Sequence, residues 1–175
     1  MQYIILTSTL LSLLLIVFYT IRVCIEIKGI PDSISATFFK IRHRRWFTLT
    51  LWGTAAFLIP GILAASASHT YYWALAASLG TFLVGLAPNF TKEPQETVHI
   101  IGATMGLAAS QIWVGLNDPL VLSVWPVCII GIAIAVAVGK SGNFKTRLHR
   151  THLLFWSEVS SLVTTYTTIL LTPGI

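Results

Sequence analysis

The sequence predicts an all-α fold, namely a polytopic membrane bundle of six transmembrane helices. Of the 175 residues, 55% are hydrophobic and only 10% are charged, and the mean hydropathy is +0.79. These values lie outside the range of soluble globular domains. The lysines and arginines fall between long apolar runs, which is typical of multi-pass membrane proteins. This distribution also argues against a nucleic-acid-binding surface, although the net charge is +5.

Six apolar segments approach the roughly 20 residues that a helix needs to cross a bilayer. Short polar segments with turn-forming residues separate most of them, namely "SASHT", "PNFTKEPQET", "LNDP" and "KSGNFKTRLHR". Such connections make successive helices antiparallel, so residues 1–175 are expected to form one transmembrane domain. The first segment lacks the basic start of a signal peptide and is expected to remain as an uncleaved span. The predicted spans are residues 3–21, 46–67, 71–88, 98–116, 120–139 and 151–171.

The 11 lysines and arginines predict the orientation of these spans. All of them flank or occupy the connections between spans one and two, three and four, and five and six, so they lie on one side. By the positive-inside rule this side is cytoplasmic, and both termini are then outside the cytoplasm. Cys24 and Cys128 belong to no CxxC or Cys/His pattern and are expected to be small apolar residues.

The first cytoplasmic connection, "EIKGIPDSISATFFKIRHRRW", is long enough to fold. With Asp32 or Ser33 as its cap, it predicts a short amphipathic helix. Such a helix would lie at the bilayer surface and turn its basic face to anionic lipid headgroups. Its apolar face would carry Ile34, Phe38 and Ile41, and its opposite face Thr37, Lys40 and Arg44.

A second interpretation of the same connection is a lid. Its polar residues would then fold back over the cytoplasmic mouth of the bundle and take part in a site. The residues concerned are Asp32, Ser33, Ser35 and Thr37.

Glu158 is a lone carboxylate within the last predicted span. A charge near the middle of a membrane helix costs about 2.5–3.5 kcal/mol on insertion scales, so such residues usually face the protein interior or a water-filled cavity. Helical spacing puts Glu158 on one stripe with Thr151, Ser161 and Thr165, which predicts that this face points inward. A rise of about 1.5 Å per residue places Glu158 roughly 10 Å from the cytoplasmic end.

At this depth the other spans offer Thr54, Thr81 and Gly106, but no lysine or arginine. Without a cation, burial favours the protonated carboxyl, and a protonatable carboxyl in a bilayer is typical of proton coupling or cation binding. The alternative is a carboxyl that only hydrogen-bonds a neighbouring helix and holds the spans together. The expected binding residues are Glu158, His99, His152, Ser161 and Thr54.

His99 is expected to face the bundle because it shares a helix face with small residues. That face contains a GxxxG spacing, which favours close helix contact. An alternative role is metal binding, in which His99 would join His149 and His152 of "HRTH" as zinc ligands. The small residues of the face are Gly102, Ala103, Gly106 and Ser110.

The order and spacing of "PDSISATFF", "APNF", "VHIIGA" and "FWSEV" resemble those of small, mostly uncharacterised six-helix bacterial integral membrane proteins. The resemblance covers nearly the whole chain and implies a multi-pass protein of the bacterial inner (plasma) membrane, but no activity. In residue types the chain is also similar to the alkaline ceramidases and adiponectin receptors, which build a zinc site from a serine, an aspartate and three histidines on seven helices. Six spans and the "HRTH" spacing depart from that pattern. The counterparts here would be Ser33 or Ser35, Asp32, His99, His149 and His152.

Three classes of function follow from these patterns. The residues favour a protein that binds or transports a proton, a cation or a small amphipathic ligand at Glu158. The alternatives are a metal-dependent hydrolase or transferase acting on lipid headgroups, and a non-catalytic accessory subunit that docks a partner membrane protein or a second copy. The sequence contains no nucleotide-binding loop, GxSxG motif or haem signature, so it identifies no cofactor and leaves open whether the protein is an enzyme.

Overall fold

The regular structure of the chain is helical. A computed structural model describes residues 2–139 and 143–172, and within these residues the regular elements are eight α-helices and one 3₁₀ helix. The predicted all-α fold class is therefore confirmed. The helices are α1 (Gln2–Ile27), α2 (Thr37–Lys40), α3 (Arg45–Ala64), α4 (Tyr71–Leu86), α5 (Gln95–Asn117), the 3₁₀ helix (Pro119–Ser123), α6 (Val124–Val138), α7 (Phe144–Arg150) and α8 (Leu153–Leu171).

Four helical segments of the described chain are long and apolar enough to cross a membrane. They are α1, α3, α5 and the combined segment Pro119–Val138. α4 is apolar but has only 16 residues. α8 has 19 residues, but Glu158 and its many hydroxyl residues lower its hydropathy. These features indicate a helical membrane protein.

The segment before the last predicted span differs from the prediction of a basic loop. It contains the helix α7. The Asn143 side chain caps the start of this helix by accepting a hydrogen bond from the Thr146 N–H at 2.9 Å. His152, with a φ of 52°, separates α7 from α8, since a left-handed residue cannot continue a right-handed helix. Residues 140–142 of the predicted loop lie outside the described residues.

Five helices surround a common space. α1 packs against α3, α3 against α4, α4 against α5 and α5 against α8, while α8 also touches α1. α6 contacts α8 from outside this group, and none of its residues is buried. The five helices therefore define the interior of the protein, and α6 lies at its edge.

The connections between helices meet at two opposite ends. At one end, the rings of Phe39 and Phe90 lie 4.9 Å apart, so the α1–α3 and α4–α5 connections are neighbours. At the other end, the Asn117 amide oxygen accepts a hydrogen bond from the Ala67 N–H at 3.2 Å. Because the α1–α3 and α4–α5 connections carry many of the lysines and arginines, we call the first end the basic end.

The small residues of α5 allow a very close approach of α4. A Cβ atom built on Gly80 would lie 2.5 Å from the Gly106 Cα and 2.6 Å from the Gly102 carbonyl oxygen. The backbones of α4 and α5 therefore touch where the three glycines meet, as GxxxG contacts do in membranes. This contact confirms the expected role of Gly102 and Gly106.

Ser12 connects three helices through its hydroxyl group. It donates to the Thr54 carbonyl oxygen of α3 at 2.7 Å and lies 2.5 Å from the Tyr166 hydroxyl of α8. Because the only proton of Ser12 is used by Thr54, the Tyr166 hydroxyl must donate to Ser12. This network fixes α1, α3 and α8 relative to one another.

Candidate functional site

A cavity of about 300 Å³ lies between the five central helices. Its walls come from α1, α3, α4, α5 and α8, and the α1–α3 connection contributes Ile34 and Ser35. Most lining residues are aliphatic or glycine, so the polar groups among them stand in poorly hydrated surroundings. The polar lining residues are Ser35, Thr54, Thr81, Thr104, Ser110, Ser157, Glu158, Ser161 and Thr165.

Glu158 lies on the second turn of α8, and its carboxyl oxygens accept hydrogen bonds from the α1–α3 connection. The Ile34 N–H donates to one oxygen, and the Ser35 hydroxyl lies 3.3 Å from the other. Of the side chains that the structure describes, no lysine, arginine or histidine lies within ion-pair distance of Glu158. Its neighbours are therefore neutral donors, and they do not balance a negative charge.

The connection that contacts Glu158 is fixed to the rest of the protein. Ile34, Phe38 and Ile41 are buried in the core, and the Phe155 N–H of α8 donates to the Asp32 carbonyl oxygen at 3.1 Å. This bond also satisfies one of the N-terminal amide groups of α8, which have no partner within the helix. The connection and the first turns of α8 thus form one unit.

The same connection departs from the predicted surface helix. α2 has only four residues, and Thr37, expected on the outer face, is 2% exposed and lies 2.6 Å from the Tyr19 hydroxyl. Arg44 lies over the Phe38 ring at 5.4 Å from its centroid instead of turning away. The lid interpretation describes this segment better, because its residues pack inward.

Asp32 lies outside the cavity lining, on the exposed side of the connection. Lys40 donates to its carboxylate at 2.7 Å, and this hydrogen bond holds the pKa of Asp32 below its usual value. The pair is exposed, so its contribution to stability is small. Asp32 therefore contributes to the site mainly through its backbone carbonyl.

Four of the eight hydroxyl groups that line the cavity use their proton within their own helix. Ser157, Thr81 and Thr165 each donate to the carbonyl four positions earlier, at 2.9, 3.1 and 2.8 Å. Their oxygen lone pairs remain acceptors toward the cavity. Thr54 differs, because it is 1% exposed and its hydroxyl has no hydrogen-bond partner in the described part of the chain. An unpaired buried hydroxyl costs about 1–3 kcal/mol, and the Thr54 hydroxyl is free to bond a polar group in the cavity.

Several residues singled out from the sequence line this one cavity. Glu158, Thr54 and Ser161 are among them, and so are Thr81 and Gly106, which were expected at the depth of Glu158. Residues that the depth estimate placed level with Glu158 on three other helices thus line the same cavity. The first of the expected binding residues to fall elsewhere is His99.

His99 is buried, but in an aromatic cluster at the basic end and not in the cavity. Its Nδ1 lies 2.9 Å from the Ala87 carbonyl oxygen, and its ring centroid lies 4.5 Å from that of Phe90. The ring thus connects the start of α5 with the end of α4 and with the connection that follows it.

His152 and His149 also lie apart from the cavity. His152 Nδ1 is 3.7 Å from the Asp32 carboxylate, which is too long for a hydrogen bond, and His149 is exposed. Within residues 2–139 and 143–172, no three His, Cys, Asp or Glu side chains are grouped as a metal site requires. The zinc site of His99, His149 and His152 therefore receives no support from their positions.

A polar network that sequence reasoning missed lies beside the cavity. Gln111 of α5 donates to the Ser161 hydroxyl at 2.8 Å and accepts from Trp125 Nε1 at 2.7 Å and from the Thr164 hydroxyl at 3.0 Å. It thereby joins α5, α6 and α8. The signal was present, since a glutamine inside an apolar span needs internal partners.

Comparison of the chain with protein-family models, with curated proteins and with solved structures finds no match. The resemblance to six-helix bacterial membrane proteins therefore rests on the four quoted motifs, and the site must be interpreted from its own geometry.

Proposed function

We propose that the protein is a six-span bundle of the bacterial inner membrane, with both termini outside the cytoplasm. α4 and α8 would be the two further spans. At about 1.5 Å per residue they measure roughly 24 and 28 Å, close to the roughly 30 Å of hydrocarbon. Their alternation with the other helices between the two ends supports this, and so does the gathering of basic residues at one end.

We propose further that the cavity binds, and carries across the membrane, a proton, a cation or a small amphipathic ligand. The observation that supports this most is Glu158, a carboxyl in a cavity whose described lining holds no basic side chain to balance it. The hydrogen bond from the Ile34 N–H alone would need only a neutral acceptor such as a glutamine oxygen, whereas a carboxyl adds the desolvation cost of its ionised form. Thr54, with its unpaired hydroxyl, adds a second polar position in the same cavity.

The test is calorimetric binding of Na⁺, K⁺ and alkylammonium ions to the protein in zwitterionic lipid nanodiscs. Titrations in two buffers of different ionisation enthalpy also report proton exchange. At least one solute is expected to bind, and Glu158→Gln is expected to weaken its binding about tenfold or more, the value of a lost charge-assisted hydrogen bond.

Glu96→Gln is the matched control, since Glu96 is exposed at the start of α5. It is expected to bind like the wild type. If folded Glu158→Gln protein binds every solute and exchanges protons as the wild type does, the proposal is wrong.

A further inference from the structure

We propose that the ligand of this cavity is a protonated primary amine with an unbranched alkyl chain. Its ammonium group would lie between Glu158 and Thr54, and its chain would leave the cavity through the crevice between α1 and α8. This inference rests on the proposed function and specifies the chemistry of the ligand.

Three hydroxyl groups of the cavity have only acceptor capacity left, whereas the unpaired Thr54 hydroxyl can donate or accept. Ser157, Thr81 and Thr165 donate to backbone carbonyls of their own helices, so each offers only oxygen lone pairs. Glu158 also accepts only, in the carboxylate form that a bound ammonium group would stabilise. A primary ammonium group has three donors and no acceptor, which matches this set, whereas a carboxylate or phosphate ligand would meet further acceptors and no described basic side chain.

The lining also discriminates among cations. No aromatic side chain lines the cavity in the described part of the chain, whereas quaternary ammonium groups are typically bound by aromatic rings. Divalent metal ions require about six or more oxygen ligands in a compact shell, whereas Glu158 is the only carboxylate among the described lining residues and the hydroxyl groups are distributed over four helices and the α1–α3 connection. An organic cation that donates hydrogen bonds and also fills apolar space fits these walls better.

The crevice between α1 and α8 supplies a place for the alkyl chain. It has a volume of about 160 Å³ and shares Ile16, Ile34 and Leu162 with the cavity, so the two spaces adjoin at these three side chains. Five of its seven other lining residues are aliphatic. Tyr166, bonded to Ser12 at 2.5 Å, lines the crevice and ties α1 to α8 beside it. A chain in this crevice would be shielded from water and continuous with the surrounding apolar surface.

The experiment measures binding of n-octylamine to the full chain in zwitterionic nanodiscs, with empty nanodiscs subtracted for partitioning. The comparison ligands are octan-1-ol, octyltrimethylammonium and octanoate. The shorter n-butylamine tests how much the length of the alkyl chain contributes to binding. Octylamine is expected to bind at least about tenfold more tightly than each of the three, because only it makes charge-assisted hydrogen bonds to the carboxylate. Glu158→Gln is expected to remove this preference, and Thr54→Val to weaken octylamine binding roughly two- to tenfold.

Leu162→Trp, which fills the junction between the cavity and the crevice, is expected to reduce octylamine binding to the level of butylamine. A far-UV circular dichroism spectrum and a monodisperse elution profile like those of the wild type show that the variant is folded. Ile134→Trp is the control for a bulky side chain on the exposed surface of α6, and it is expected to bind both amines normally. In the wild type, octylamine should bind more tightly than butylamine, since each buried methylene adds affinity.

Two results separate this inference from the proposed function. If binding depends on Glu158 but is found only for inorganic cations or protons, or is equal for octylamine and octyltrimethylammonium, the proposed function stands and the amine assignment is overturned. If Glu158→Gln changes the binding of no solute, both fall. Octylamine binding that is indifferent to Leu162→Trp overturns the chain path.

Discussion

Gly80→Ala is expected to destabilise the protein by about 3 kcal/mol or more, a large fraction of the roughly 5–15 kcal/mol by which folded proteins are stable. The added Cβ would lie 2.6 Å from the Gly102 carbonyl oxygen and would also meet the backbone of Gly106. Both obstacles are backbone atoms, so no rotamer change can relieve the overlap, and α4 and α5 must separate. The yield of monodisperse protein and its thermal unfolding temperature measure the effect.

Gly131→Ala is the matched control, because nothing lies within 4 Å of the Cβ that it adds. It is expected to be neutral or slightly stabilising, since alanine favours a helix over glycine by up to about 1 kcal/mol. Equal unfolding temperatures for Gly80→Ala and the wild type would show that α4 and α5 are not in backbone contact.

Glu158→Leu is expected to release the connection between α1 and α3, whereas Glu158→Gln is expected to hold it. Leucine leaves the Ile34 N–H without its acceptor, although Ile34 is only 6% exposed, and an unpaired buried donor costs about 1–3 kcal/mol. Glutamine keeps a carbonyl oxygen for this donor and removes only the charge. Hydrogen exchange of peptides covering residues 33–38 should therefore accelerate roughly tenfold or more in the leucine variant.

Peptides of α4 and α5 provide the internal reference, because neither helix contacts the connection through Glu158. Their exchange should be the same in all three proteins. Equal protection of residues 33–38 in the leucine variant would show that Glu158 does not anchor the connection, and the lid interpretation would lose its main contact.

The helices, and the set of residues that lie level with Glu158, could be predicted from the sequence because two simple regularities determine them. Apolar runs between polar connections predicted the spans, and the rise per residue of a helix then placed Thr54, Thr81 and Gly106 level with Glu158. Small residues on one face of α5 predicted a close helix contact, although not that α4 is the partner. These features depend on side-chain type and spacing, which a sequence displays directly.

Other features were inaccessible or overlooked for physical reasons. The principal partner of Glu158 is the backbone N–H of Ile34. Every residue except proline has such a donor, so the sequence does not identify the one that is used. The prediction of a surface helix was wrong because the apolar face of the connection can pack against lipid or against protein. Helical periodicity does not distinguish these two kinds of packing. In contrast, asparagine is a favoured residue at the start of a helix, so Asn143 could have predicted the beginning of α7.

The most direct test of the central claim is chemical modification of Glu158 in the membrane-embedded protein with dicyclohexylcarbodiimide. This reagent partitions into apolar surroundings and reacts with the protonated form of a carboxyl, and peptide mass spectrometry locates the product. We expect modification at Glu158 and little at the exposed Glu93 and Glu96. The modified protein is expected to lose binding of every solute that the wild type binds in the calorimetric titrations. Unchanged binding after complete modification of Glu158, or reaction at Glu93 and Glu96 with none at Glu158, would contradict a ligand site centred on this carboxyl.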